Sequence, residues 1–505
     1  MPSRLYAITI LAAALSCSPR TRRTPDDTVV VLVETELTTA DPRHSLTGYD
    51  EKLSKLCVSG LTALDTDDLV VRLDLAASIT PIDPLTYDIA IRDDARFADG
   101  DPVTAADVVA TWKSVLAPNS DSFAHKAMAD KYREPEARGD KLVRFHLIER
   151  LATFDTDMDF GILDWHHGEP GQLVIGAGPF RLRELTTTSA FLDANPYAQK
   201  PPKMPHVEIR AVRDAAARLL MLVGGSADLL QNGMRLDLVN YLADQPRVKV
   251  LTDHSTLLTY LMMNNEKGPT HDVRVRQAIA YALDRPAAIQ RLLGGHALPA
   301  TGLLPPWHWA YEGNVTRYDR NLDKARQLLD EAGYPPKEGG VRLHLVYKTS
   351  ADAFRVAIAR VLAAQLGEAG IDVEVRSFEF ATFFSDIKKG QYEIASMQTS
   401  NITDPDFYYT YFHSSWIPSE KTPDGYNRWR YRNAEVDRLV EAGRHELSKP
   451  ARLALYSKVQ QIVAADVPIV PLWHEDNIAL ANVDLSGYAI TPNARLVGLA
   501  GVTKR

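Results

Sequence analysis

Residues 29–34, Val-Val-Val-Leu-Val-Glu, are apolar at five consecutive positions. A strand without polar alternation is covered on both faces, which places it inside a sheet flanked by helices. Later segments supply the helices and further strands. Residues 86–92 alternate Tyr87, Ile89 and Ile91 with polar or small residues, as a half-buried strand does. Thr104-Ala105-Ala106-Asp107 has the spacing of a capping box, and the helix it opens aligns Val108, Trp112, Val115 and Leu116 on one stripe. Residues 272–283 put Val275, Ile279, Ala282 and Leu283 on one helical face, with Arg274 and Arg276 off it. Ser350 is placed to cap a helix that buries Phe354, Ile358, Val361 and Leu362 and stops at Gly370, after which Ile371, Val373 and Val375 alternate as a strand. Ser448 is placed to cap a helix that turns Leu453, Tyr456, Val459 and Val463 inward. Helices and strands in such alternation build α/β lobes. At 505 residues the chain is too long for one core, so two or three domains are expected.

Composition narrows the function. Hydrophobic content of 45% and charged content of 24% describe an ordered globular chain. A net charge of −8, with no basic stripe interleaved with aromatics, argues against a nucleic-acid partner. At the N-terminus, Arg4 precedes an apolar run over residues 5–15, which is signal-peptide length and too short to span a bilayer. The run ends at Ala14-Leu15-Ser16-Cys17, similar to a bacterial lipobox, with Ala14 where Leu is usual. Residues 1–16 are therefore expected to be a lipoprotein signal peptide, Cys17 the lipidated residue and 17–27 a tether. The protein is expected to be exported to the periplasm or the cell-envelope membrane surface. Cys57 is then left alone in an apolar run and reads as a small buried hydrophobe.

Residues 60–116 carry Gly60-Leu61, Leu75-Ala76-Ala77-Ser78, Thr86-Tyr87, Ile91-Arg92, Phe97, Asp99-Gly100, Pro102-Val103-Thr104-Ala105 and Thr111-Trp112 in order. They are followed by Gly176-Ala177-Gly178-Pro179-Phe180, Asn195-Pro196-Tyr197, Asp228, the Tyr-Leu-Met-Met-Asn run at 260–264, the helix at 272–285, Gly294-Gly295, Tyr318-Asp319 and Asp437. This succession over roughly 450 residues resembles the family 5 extracellular solute-binding proteins, receptors of oligopeptide, dipeptide and nickel ATP-binding-cassette (ABC) importers. The resemblance implies a bilobal, periplasmic-binding-protein-like α/β fold with an extra inserted subdomain. Residues 28–47, 174–265 and 475–505 would form lobe I, 48–173 the inserted subdomain and 266–474 lobe II. Two hinge crossings are expected near Asn264-Asn265 and Trp473-His474. It also implies a monomer that captures an oligopeptide-like or other small polar solute and hands it to an ABC permease. An oligosaccharide receptor of the same family and a signalling receptor without transport are the alternatives.

Catalysis finds no motif. No His lies three residues after Glu475 to complete a zinc helix, and there is neither a Gly-x-Ser-x-Gly elbow nor a P-loop. No metal site or cofactor is expected, and the adjacent His166-His167 are read as loop residues, because neighbouring side chains do not share a face. Residues 391–412 hold the candidate site: a short strand breaks into Ser400-Asn401-Ile402-Thr403-Asp404-Pro405-Asp406, a run dense in turn formers, and aromatics follow. In peptide-binding members of the family, an Asp at the position of Asn401 neutralises the ligand's α-amino group. An amide there suits a hydroxyl, an amide or a blocked N-terminus, because it donates as well as accepts and carries no charge. The expected ligand-binding residues are Thr38, Thr39, Lys348, Thr399, Asn401, Asp404, Trp416 and Arg428. Arg355 is a further candidate for meeting a carboxylate.

Overall fold

The computed structural model describes residues 24–505 except Asp65, Asp67, Asp68, Ser400, Asn401, Asp424 and the side chain of Asp237. The expected signal peptide, Cys17 and Asn401 lie outside the described residues. Thr28–Val33 is the buried strand read from the sequence. It pairs in parallel with His206–Ala211 on one side and Leu229–Gln231 on the other. Around it runs a seven-stranded sheet in the order Val248–Asp253, Asn477–Asn482, Leu229–Gln231, Thr28–Val33, His206–Ala211, Ser189–Ala194, Phe180–Leu185. Apolar side chains cover both faces of the central strand: Val29, Val31 and Val33 join one core, and Val30 and Leu32 the other.

A second sheet has six strands in the order Ala297–Pro299, Ile469–Glu475, Leu258–Met263, Ile394–Thr399, Leu343–Ser350, Ile371–Phe378. The chain passes between the two sheets at residues 254–257 and again at Asp476. The two passages touch: the Glu475 N–H donates to the Leu257 carbonyl at 3.1 Å, and the Asn477 amide to the His254 carbonyl at 3.3 Å. The first lies seven or more residues before the position expected from sequence, and the second within two residues of Trp473-His474. Asn264 and Asn265 sit past the far end of a second-sheet strand. Asn264 donates to the Gly390 and Tyr392 carbonyls, and Asn265 to the Trp429 and Pro468 carbonyls. Trp473 and His474 are still within the second-sheet strand.

A third unit, residues 76–146, carries a four-stranded antiparallel sheet and the helix Ala105–Leu116. Its capping box forms as read: the Asp107 N–H donates to Thr104 Oγ1 at 3.4 Å and the Thr104 N–H to Asp107 Oδ2 at 2.9 Å. Glycine explains the Gly176-Ala177-Gly178 segment, because a Cβ at Gly176 or Gly178 would lie 2.5 Å from the Cys57 backbone. Two local readings are corrected, at Ser350 and Ser448. Ser350 ends a strand, and Asp352 caps the helix Ala353–Glu368 instead. Ser448 holds the cap position of Lys449–Asp466 without a side-chain cap bond. Arg276 is buried, its guanidinium satisfied by the carbonyls of Thr270, His271, Asp466 and Val467.

Candidate functional site

Three segments of the second lobe converge where the strand Ile394–Thr399 ends. The helix Phe407–Phe412 turns Tyr411 back so that its hydroxyl meets Thr399 Oγ1, and burial pushes the Tyr411 phenol up to about 12. The loop after it lays Tyr426 on Tyr411, with ring centroids 5.5 Å apart. Arg428 then enters between Tyr426 and Phe384, its guanidinium carbon 4.7 and 4.9 Å from the two ring centroids. Arg428 is 9% exposed and its Nε is buried without a hydrogen-bond partner. Among the described residues its guanidinium has no carboxylate within ion-pair distance. Two aromatic faces stabilise a cation through their quadrupoles, yet they supply no acceptor for its N–H groups. Trp416 borders this cluster, 6.3 Å from both Tyr409 and Tyr426.

The structure thus brings Thr399, Trp416 and Arg428 together and sets the other candidates apart. Lys348 is committed to Asp386 at 2.6 Å and lies over Phe378. Asp404 is buried in a bidentate ion pair with Arg452, at 2.6 and 2.9 Å, and also accepts the Asp406 N–H. Its charge is consumed inside the fold, so the expectation that it faces a ligand is corrected. Asp406 is likewise taken, by the Tyr456 hydroxyl at 3.0 Å and by Arg444 at 3.4 Å. Thr38 and Thr39 belong to the first lobe. Their N–H groups donate to Asp50 Oδ1 at 2.8 and 3.3 Å, so the loop after the first strand is pinned to the helix Gly48–Cys57. Burial opposes ionisation of Asp50, but the bonds from Thr38, Thr39 and Thr47 hold its carboxyl below the usual range.

Sequence reasoning passed over a polar chain that runs from this lobe to the crossing. Arg355 Nη2 donates to Gln398 at 2.6 Å, and Gln398 donates to Glu475 Oε1 at 2.8 Å. The same oxygen accepts from Thr259 and from the Trp473 indole. Gln398 and Ser396 are polar residues in a strand covered on both faces, which is the signal that marks them. The lobes also meet elsewhere: the Ala152 N–H donates to the Arg444 carbonyl at 2.8 Å, and Glu149 lies 3.8 Å from the Arg444 guanidinium.

Two sheets in separate lobes, joined at two adjoining passages and accompanied by a smaller third sheet, define a bilobal solute-binding protein. Residues 70–419 match the bacterial extracellular solute-binding proteins, family 5 (middle), and the chain belongs to that family. It is 26% identical to the probable D,D-dipeptide-binding periplasmic protein DdpA of Escherichia coli K12, over 93% of this chain and 92% of the relative. With the oligopeptide-binding protein AppA of Bacillus subtilis it shares 27% identity over 88% of this chain and 86% of the relative. The structure of that AppA in complex with a nonapeptide superposes with a TM-score of 0.77, at 26% identity, covering 95% of this chain and 99% of the other. NikA of Brucella suis, solved in complex with Fe(III)-EDTA, shares the fold at a TM-score of 0.84 and 20% identity, covering 95% of this chain and all of the other (100%).

Proposed function

We propose that this chain is the substrate-binding component of an ABC importer, and that it captures an oligopeptide-like solute carrying a carboxylate or similar anion. The observation that carries the ligand class is Arg428. A buried guanidinium without an anion costs several kcal/mol, and a charge-assisted bond to a guest contributes about 1.5–3 kcal/mol. The related peptide and dipeptide receptors support the peptide class, and they are solute binders, which supports a role without catalysis. In the sequence Asn401 stands two residues after Thr399 and carries a neutral amide where peptide-binding relatives of the family carry a carboxylate. With Asp404 and Asp406 both committed internally, the solute has no free, fully buried α-ammonium at this end. Replacing Asn401 by Asp then weakens the natural ligand.

Closure would proceed by hinge motion about residues 254–257 and Asp476, the solute selecting the closed form through contacts that form only there. Acyl chains on Cys17 would hold the monomer at the membrane beside its permease, each buried methylene contributing about 0.8 kcal/mol. Native mass spectrometry of protein purified gently from its host, followed by denaturing release, tests the reading. Bound peptides or other anionic oligomers are expected. A neutral sugar would keep the receptor and overturn the ligand class.

A further inference from the structure

Far along the chain from Arg428, the turn at Asp99-Gly100-Asp101 meets the loop at residues 164–168. His167 Nε2 lies 3.3 Å from Asp101 Oδ2, 3.5 Å from Asp99 Oδ2 and 3.9 Å from Asp164 Oδ2. All four ligand-type atoms fall within 4.8 Å of one another. Asp164 is the buried member, with a side chain 1% exposed. Its Oδ1 is used, accepting the His166 N–H and lying 2.8 Å from His166 Nδ1. Its Oδ2 is buried, has no hydrogen-bond partner among the described residues, and faces the His167 ring. A carboxylate oxygen left this way is costly, and three carboxylates converging on one point repel each other unless a shared proton or a cation lies among them.

We propose that Asp99, Asp101, Asp164 and His167 bind one divalent transition-metal cation of the zinc class. A tetrahedral site with bonds of about 2.1 Å has ligand-to-ligand edges of about 3.4 Å, and the three imidazole-to-carboxylate separations of 3.3, 3.5 and 3.9 Å lie near that length. The imidazole disfavours calcium and magnesium, which take oxygen ligands, and the carboxylates disfavour copper(I), which takes soft sulfur. His166 serves differently from its neighbour: it holds Asp164 by one oxygen and lies 3.5 Å from Asp107, fixing the direction of the other oxygen. Both histidines lie in the loop expected from sequence and share Asp164, His166 at its Oδ1 and His167 facing its Oδ2. The exposed His167 ring leaves the ion a path to solvent. The bound ion fastens the loop whose Trp165 lies 5.5 Å from the Arg43 guanidinium and whose Pro170 carbonyl accepts from Arg43. Its role is therefore structural, beside the loop that holds Thr38 and Thr39.

The test is a titration of the chelator-stripped chain with Zn²⁺ alone against a chromophoric zinc indicator, paired with thermal melts. One ion per chain and a rise in melting temperature are expected. Asp164→Asn and His167→Gln each weaken binding by about tenfold or more. His344→Gln, which removes an exposed imidazole paired with Asp372, leaves it unchanged. His167 is 68% exposed on its side chain, so its variant folds whatever the role of Asp164. Absence of stoichiometric binding, or binding that survives His167→Gln, overturns the proposal.

Discussion

Asp404 and Arg428 are both charged residues of the second lobe, each 9% exposed, yet they are treated in opposite ways. Asp404 has a guanidinium across both oxygens and a backbone N–H besides. Arg428 has two aromatic faces and an Nε with no acceptor among the described residues. A buried charge answered from within belongs to the scaffold. A buried charge with neither a carboxylate nor an acceptor among the described residues is the one proposed to meet a guest. Within the turn-rich motif Asp404 and Asp406 are held by the fold, and Arg428 is the charged residue proposed to meet the solute.

Substitutions at the two residues should separate stability from binding. Asp404→Ala strands Arg452, whose proton affinity is raised despite its burial by the Asp404 carboxylate, and is expected to cost about 3–5 kcal/mol in denaturant unfolding. A loss under about 1 kcal/mol, the range of exposed pairs, would break the comparison. Arg428→Met should leave stability within about 1 kcal/mol of the parent or improve it, because a costly buried charge is gone. Titration calorimetry should instead show about 2–4 kcal/mol of lost affinity for an anionic solute.

A buried group kept neutral sharpens the contrast. Burial pushes the His474 ring down to about 3, far below the ordinary value of 6.5. Near neutral pH both folded and unfolded forms are uncharged there, so the ring has no effect. As pH falls from about 6.5 towards 3, only the unfolded chain takes the proton, and stability drops by up to about 1.4 kcal/mol per pH unit. His474→Gln should flatten that part of the stability profile measured by urea unfolding. The smallest effect is expected at the lobe contact. Glu149 is half-exposed, and Glu149→Ala should change solute affinity by less than about fivefold, since exposed pairs contribute under about 1 kcal/mol.

Local features were legible before any coordinates. The strand Thr28–Val33, the Thr104 capping box and the stripe of Val273–Ala282 each depend on residues within a few positions of one another. Sheet membership does not. Leu258–Met263 is buried at every position, and nothing in such a run says which sheet it joins, so the crossing was expected seven or more residues too late. At Asp352, two capping residues competed within three positions, and the carboxylate took the helix while Ser350 closed the strand. The polar turn around Asp404 was readable, but its partner Arg452 comes 48 residues later, on the helix Lys449–Asp466. Arg428 was recognisable as a candidate by type alone. Its meaning came from Phe384 and Tyr426, which arrive from separate elements.

The most direct test is a binding cycle with one peptide carrying a free C-terminal carboxylate and its C-terminally amidated form, against the parent and Arg428→Met. Arg428 serving as the anion contact predicts that amidation weakens the parent by about tenfold or more, which is about 1.4 kcal/mol, and leaves Arg428→Met indifferent to the change. Equal affinities of the parent for the two peptides, or an equal loss on amidation in both proteins, would contradict it.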